Sequence, residues 1–325
     1  MAEQEAGGPP PPREPPRSLQ GLLEMAVTAS EPQAEPREPL SDERREWLGA
    51  AVAAALGGVG GESEQLRRCL RLLREPQAEA EAESSPEHVL ELLAELCESL
   101  DNATELCALG GLETAAGLLE DARAPVRTAA ARLVGACGQN LPGAAGRALA
   151  LGCLPALLRR LRAEPEPGAR RAALFALSCL LRARAEGLEQ FERLGGLPAL
   201  LEAACGPPPP LRAKAAFLLH SLLRQHPRLK EPLCRMGTVP RLVALLRAEP
   251  DAGHEHVLGV LCSLATDFAP GAQECRAPEL GLERLLRERS RLLRGREECQ
   301  EELEFCEQLL LLCFGPPPEE GAADR

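Results

Sequence analysis

The side chains able to do chemistry in this 325-residue chain are few and poorly placed for it. Five histidines occur, His88, His220, His226, His254 and His256, and only His254-Glu255-His256 forms a cluster. Two residues apart on a helix, those rings point to different faces, so contact with solvent or a partner is a better reading than metal ligation. Gly57-Gly58-Val59-Gly60-Gly61 lacks a preceding strand and the fuller phosphate-loop spacing, and reads as a connector. The thirteen cysteines are spread singly, with no C-x-x-C pair and in odd number, so they read as small reduced core residues. Cys299, Cys306 and Cys313 recur every seven residues as one packing stripe. With no nucleophile beside a base, no carboxylate pair and no metal cluster, no catalytic residue, metal ion or cofactor is expected. The function is to be sought in a surface.

What builds that surface follows from composition. The formal charge of −12 disfavours a general phosphate-binding face, so nucleic acid is not an expected partner. No apolar run approaches the roughly 18 to 20 residues of a membrane span, and the chain opens on Glu3, Glu5 and a proline cluster instead of a basic-then-apolar leader. A cytosolic location is therefore expected, without membrane attachment. Ile and Tyr are absent and Lys occurs only at Lys214 and Lys230, a nucleotide bias that makes the arginine excess uninformative. Leucine far outnumbers valine, which favours leucine-packed helices over sheet.

Residues 1–39 hold nine of the thirty prolines and read as a disordered arm. Within it, 18–28 could form one short apolar face from Leu19, Leu22, Leu23 and Met25. Residues 40–85 read as capping helices around Trp47 and Leu70, followed by an acidic linker. From residue 86 an internal repeat begins. Leu109-Gly110-Gly111-Leu112, Leu151-Gly152-Cys153-Leu154, Leu194-Gly195-Gly196-Leu197 and Met236-Gly237-Thr238-Val239 recur with a degenerate fifth copy at Gly281, the glycines 42 to 44 residues apart. Each step starts a helix, and a second apolar helix precedes it, over 89–100, 126–137, 172–181, 214–223 and 257–264. Cys97, Cys137, Cys179, Ser221 and Ser263 fall at equivalent places in that second helix. A period near 42 made wholly of helix predicts an all-α, right-handed armadillo or HEAT-like solenoid over 86–281. A helical cap is expected over 282–314 and a disordered tail over 315–325.

In such arrays the last helix of each repeat lines the concave side. The residue four before each marker shares its stripe: Leu93, Leu133, Phe175, Phe217 and Gly259. Polar candidates beside it are Asp101, Asn102, Asn140, Arg182, Lys214, Arg224, Glu255, His256, Thr266 and Asp267. Together they would line a trough sized for a folded lobe.

Several segments carry a resemblance: 18–23 (SLQGLL), 40–47 (LSDERREW), 91–97 (ELLAELC), His254-Glu255-His256-Val257-Leu258-Gly259 and 301–306 (EELEFC). Over about residues 18–314 the chain resembles the family of Hsp70-binding, Fes1-type armadillo nucleotide exchange factors. The resemblance implies a monomeric co-chaperone whose concave face embraces one lobe of the Hsp70 or Hsc70 ATPase domain, so that ADP leaves a site spanning both lobes. It also implies that the arm, through Leu19, Leu22, Leu23 and Met25, visits the chaperone's peptide-binding domain and helps release clients. The arm here is shorter and richer in proline than the family's glycine- and serine-rich versions. An armadillo adaptor for extended peptides would need regularly repeated Trp and Asn; Phe175 and Phe217 replace Trp in only two repeats, and Cys or Ser stands at the Asn position. The family's endoplasmic-reticulum branch would carry a secretory signal.

Overall fold

The computed structural model describes residues 61–75, 85–248, 251 and 253–315. The arm with Leu19, Leu22, Leu23 and Met25, the helix expected around Trp47, most of the acidic linker and the tail beyond Gly315 lie outside the described residues. The chain divides into two compact parts, 1–69 and 70–325. In the first, the described residues are the opening of helix α1 (Glu62–Arg74), with Leu66 and Cys69 buried. No strand occurs among the described residues.

The second part is an array of three-helix repeats. After α2 (Pro86–Leu96) come α3 (Leu100–Ala108), α4 (Gly111–Leu118) and α5 (Ala124–Asn140), then α6 (Pro142–Ala150), α7 (Cys153–Ala163) and α8 (Pro167–Ala183). There follow α9 (Ala185–Arg193), α10 (Gly196–Cys205) and α11 (Pro209–Gln225), then α12 (Lys230–Arg235), α13 (Thr238–Leu246) and α14 (His254–Ala265). The array closes with α15 (Ala269–Cys275), α16 (Leu282–Leu293) and α17 (Gln300–Phe314). The sequence pattern predicts two helices per repeat, whereas the structure has three. The added short helix separates from the long one before it at an extended residue, with φ between −117° and −146°: Leu141 or Arg184 alone, His226 followed by a 3-10 turn over Pro227–Leu229, or Phe268 at the end of the three-residue link 266–268. Likewise the helix expected over 89–100 stops at Leu96, and the extended Ser99 precedes α3.

The repeating glycines explain the middle helices. Gly110, Gly152, Gly195, Gly237 and Gly281 all hold φ between 55° and 78°, the left-handed region where a Cβ costs about 1–2 kcal/mol. An arginine from the preceding repeat fastens three of these turns. Arg74 Nη2 donates to the Leu109 and Gly110 carbonyls at 2.8 and 3.1 Å, Arg162 Nη2 to those of Leu194 and Gly195, and Arg247 Nη2 to that of Leu280. Proline in the first turn of α2, α5, α8 and α11 starts the long helices without forfeiting a hydrogen bond.

The long helices α2, α5, α8, α11, α14 and α17 stack as one row, each against the next. Leucine and alanine fill the joints: Leu93, Leu133, Ala173, Leu177, Leu219 and Leu261 are fully buried. All thirteen cysteines are free, ten of them buried, and burial raises the thiols of Cys153 and Cys234 to about 11 and of Cys306 to about 12.

Close backbone approach decides one further position. A Cβ at the buried Gly271 of α15 would collide with the Leu264 carbonyl, its carbon only 2.9 Å away at the end of α14. Backbone cannot swing aside as a side chain can, so Gly271→Ala is expected to lower the unfolding free energy by about 2–4 kcal/mol. Gly117→Ala, in open space on α4, should be neutral or slightly stabilising in the same denaturant titration.

Candidate functional site

The long-helix row presents its side chains unevenly. At its start, Leu93 and Leu133 are wholly buried, so the stripe four residues before each marker is core there. Farther along it emerges. Phe175 on α8 is half-buried, packed over Gly135 of α5 where a Cβ would overlap its ring. Phe217 on α11 is 47% exposed, its ring centroid 5.3 Å from that of His256 on α14. Most of this protein's aromatic side chains are Phe, six in all, so an uncovered one in the middle of a helix face is a conspicuous loss of burial.

Around that pair the sequence candidates divide. Lys214 lies one turn before Phe217 and is exposed. Glu255 Oε1 is 3.4 Å from His256 Nε2, and both are half-buried. Arg182 and Arg224 are exposed near the ends of α8 and α11. Asp101 is exposed in the first turn of α3, and Asp267 is exposed with φ 47° just beyond α14. Thr266, beside it, is half-buried; its hydroxyl donates to the Cys262 carbonyl at 2.7 Å and its own carbonyl accepts from Lys230 Nζ at 2.6 Å. Asn140 ends α5, close to a pocket of ≈ 350 Å³ lined by Gly138, Gln139, Pro142, Cys179, Arg182 and Ala183.

Two candidates are corrected. Asn102 points inward: its Nδ2 donates to the Leu96 carbonyl at 2.9 Å, and the residue is buried, so it fastens the bend between α2 and α3 instead of lining a trough. Within the His254-Glu255-His256 cluster the two rings do part, yet His254 meets neither solvent nor partner. It is 1% exposed, and its Nδ1 accepts from Arg289 Nη2 on α16. Arg289 also pairs with Glu302 on α17, so a buried polar knot takes the place of an exposed ring.

The sequence pattern misses a second feature of the face. His220 Nδ1 lies 2.9 Å from Ser263 Oγ on α14, its ring packs over Gly259, and Phe305 of α17 stands edge-on to it with centroids 5.6 Å apart. Burial lowers the His220 pKa, so the ring stays neutral near pH 7. Ser263 is itself buried, and with Phe305 the pair clamps α11, α14 and α17 together. The signal was available: His220 stands 43 residues before Ser263, next to the repeat marker Ser221. Among the described residues no three His, Cys, Asp or Glu side chains gather as a metal site, and no helix is long and apolar enough to cross a membrane. The arrangement offers a mixed aromatic, basic and acidic face across α8, α11 and α14, suited to holding another folded surface.

Known proteins match this chain closely. Residues 102–207 match the SIL1/FES1/HPBP1 C-terminal domain, and residues 19–106 match the nucleotide exchange factor Fes1 family. Hsp70-binding protein 1 of Homo sapiens is 50% identical over 316 residues, covering 94% of this chain and 88% of that protein. Hsp70 nucleotide exchange factor FES1 of Coccidioides immitis is 33% identical over 105 residues, 32% of this chain and 49% of that protein. Among solved structures, a set of computationally designed armadillo repeat proteins for modular peptide recognition superposes with a TM-score of 0.64 at 16% identity. That match covers 76% of this chain and 99% of the other. At that identity the likeness speaks for the armadillo fold alone.

Proposed function

Because the chain belongs to the SIL1/FES1/HPBP1 family, we propose that it is a nucleotide exchange factor for the Hsp70 chaperone. The observation that carries this reading is the 50% identity to Hsp70-binding protein 1 sustained over 94% of the chain. In the proposed mechanism the long-helix row, with Phe175, Lys214, Phe217, Glu255 and His256 at its centre, receives one lobe of the chaperone's ATPase domain. Asp101, Asn140, Thr266 and Asp267 border that surface. The far side of the array crowds the opposite lobe, and a nucleotide held between lobes is released as they part.

The energetic requirement is differential affinity. The array must bind the opened, nucleotide-poor chaperone more tightly than the closed ADP state, and ADP must weaken the array's binding by the same factor. A coupling of about 1–3 kcal/mol corresponds to a change of about 5- to 150-fold. The array itself makes and breaks no bond, so it works as a monomeric binding partner in the cytosol and not as an enzyme. The arm, with Leu19, Leu22, Leu23 and Met25, is proposed to reach the chaperone's peptide-binding domain.

Stopped-flow release of a fluorescent ADP analogue from the Hsp70 ATPase domain tests this. Adding the full chain should speed release at least tenfold, and a chain lacking residues 1–39 should retain most of that effect. Complex formation with an unchanged release rate would instead support an armadillo adaptor without exchange activity.

A further inference from the structure

Arginines at the two ends of the long helices α5, α8 and α11 differ in how they are engaged. In the first turns, Arg127, Arg170 and Arg212 are each engaged with their surroundings: Arg127 with Glu164 at 2.6 Å, Arg170 with the Leu161 carbonyl at 3.0 Å, and Arg212 with Asp251. At the opposite ends, Arg182 and Arg224 occupy one register, each three residues after its repeat marker on the neighbouring helices α8 and α11. Arg182 donates through Nε to the Ser178 carbonyl at 3.3 Å, lies against the Cys179 thiol, and is exposed at the ≈ 350 Å³ pocket that it helps line. Arg224 is exposed and has no hydrogen bond or ion pair among the described residues.

We infer that Arg182 and Arg224 form a two-point receptor for an acidic segment of the protein partner, one carboxylate to each guanidinium, with the first carboxylate entering the pocket between the ends of α5 and α8. This rests on the exchange-factor reading, for which it names the chemistry recognised. The pocket is bordered by the carbonyl ends of α5 and α8 and by Pro142 in the first turn of α6, and the Arg182 guanidinium is the one cation among its lining residues, so a single positive charge faces whatever enters. A singly charged carboxylate suits it better than a phosphate dianion. The chain as a whole carries −12, so long-range attraction cannot supply the affinity. Short, paired guanidinium–carboxylate hydrogen bonds must supply it, and lysine cannot make those in the same planar geometry.

The test is titration of the Hsp70 ATPase domain with the full chain and its variants. The double variant R182Q/R224Q should bind about 10- to 30-fold more weakly, R182K/R224K should stay within about threefold of it, and both should melt with the parent. A short Glu-Ala repeat peptide should compete for the parent's face while inorganic phosphate at the same ionic strength does not. It should also bind the parent directly and not the glutamine variant, an arm that decides the inference even if ADP release is unaffected by the parent. Binding by R182Q/R224Q within about twofold of the parent, full rescue by lysine, or equal competition by phosphate would each overturn the carboxylate receptor.

Discussion

Replacing Arg289 by alanine is expected to remove about 3–5 kcal/mol of stability, read as a lowered urea midpoint with an unchanged slope. Arg289 is only 7% exposed, and its guanidinium joins four helices. It pairs with Glu302 of α17, donates through Nη1 to the Leu246 carbonyl ending α13 at 3.0 Å, and donates to His254 at the start of α14. Alanine would leave a carboxylate 8% exposed without its cation, and would strip a buried carbonyl and ring of their donor. Removing both charges with Arg289→Met and Glu302→Leu should cost less than the single change, because no lone buried charge remains. The same knot sets an acid limit. Burial, and then the charge of Arg289, hold the His254 pKa below its ordinary 6.5. The unfolded chain therefore takes up the proton first, and stability present above about pH 6.5 declines as pH falls below it. In Arg289→Ala that decline should persist in weakened form, since burial remains when the neighbouring charge is gone.

Phe217→Ala is expected to weaken the complex with the Hsp70 ATPase domain by about 30- to 150-fold while lowering the protein's own stability by no more than about 1 kcal/mol. The asymmetry follows from exposure. At 47% exposed, the ring has less burial to forfeit on truncation than a core phenylalanine, including its packing against His256 at 5.3 Å. Seated in a partner it would lose its remaining water-facing area at the centre of the face, where aromatic anchors carry most of the energy. Phe217→Leu should recover part of the affinity through retained apolar area. Titration alongside thermal melts separates the two effects, and an affinity within threefold of the parent would move the contact centre away from α11 and α14.

Much of the architecture was legible in the sequence because the repeat is enforced by backbone geometry. A left-handed residue at each turn admits glycine with little strain, and so Gly110, Gly152, Gly195, Gly237 and Gly281 mark every middle helix. The first helix of each repeat was not legible. Lys230–Arg235 and Ala269–Cys275 are too short to show a hydrophobic period, and they begin after a 3-10 turn and an extended Phe268 respectively, instead of a glycine or cap motif. For the face, a four-residue step from the marker located Phe217, but it could not distinguish Leu133 in a closed joint from Phe217 in an open one. Neither could it foresee Arg289, because the stretch Arg287-Glu288-Arg289-Ser290-Arg291 reads as solvated until Glu302 and His254 arrive from elsewhere in the chain. Asn102 was read outward for a related reason: the bend after Leu96 that turns it inward has no signature of its own.

The cysteines give the array an intrinsic set of chronometers. Each repeat shelters at least one thiol, from Cys97 and Cys137 through Cys179 and Cys234 to Cys275 and Cys313, and a sheltered thiol can be alkylated only when its own segment comes apart. Labelling rates followed site by site would thus rank the repeats by how often each breathes, on the unaltered protein and with no engineered probe.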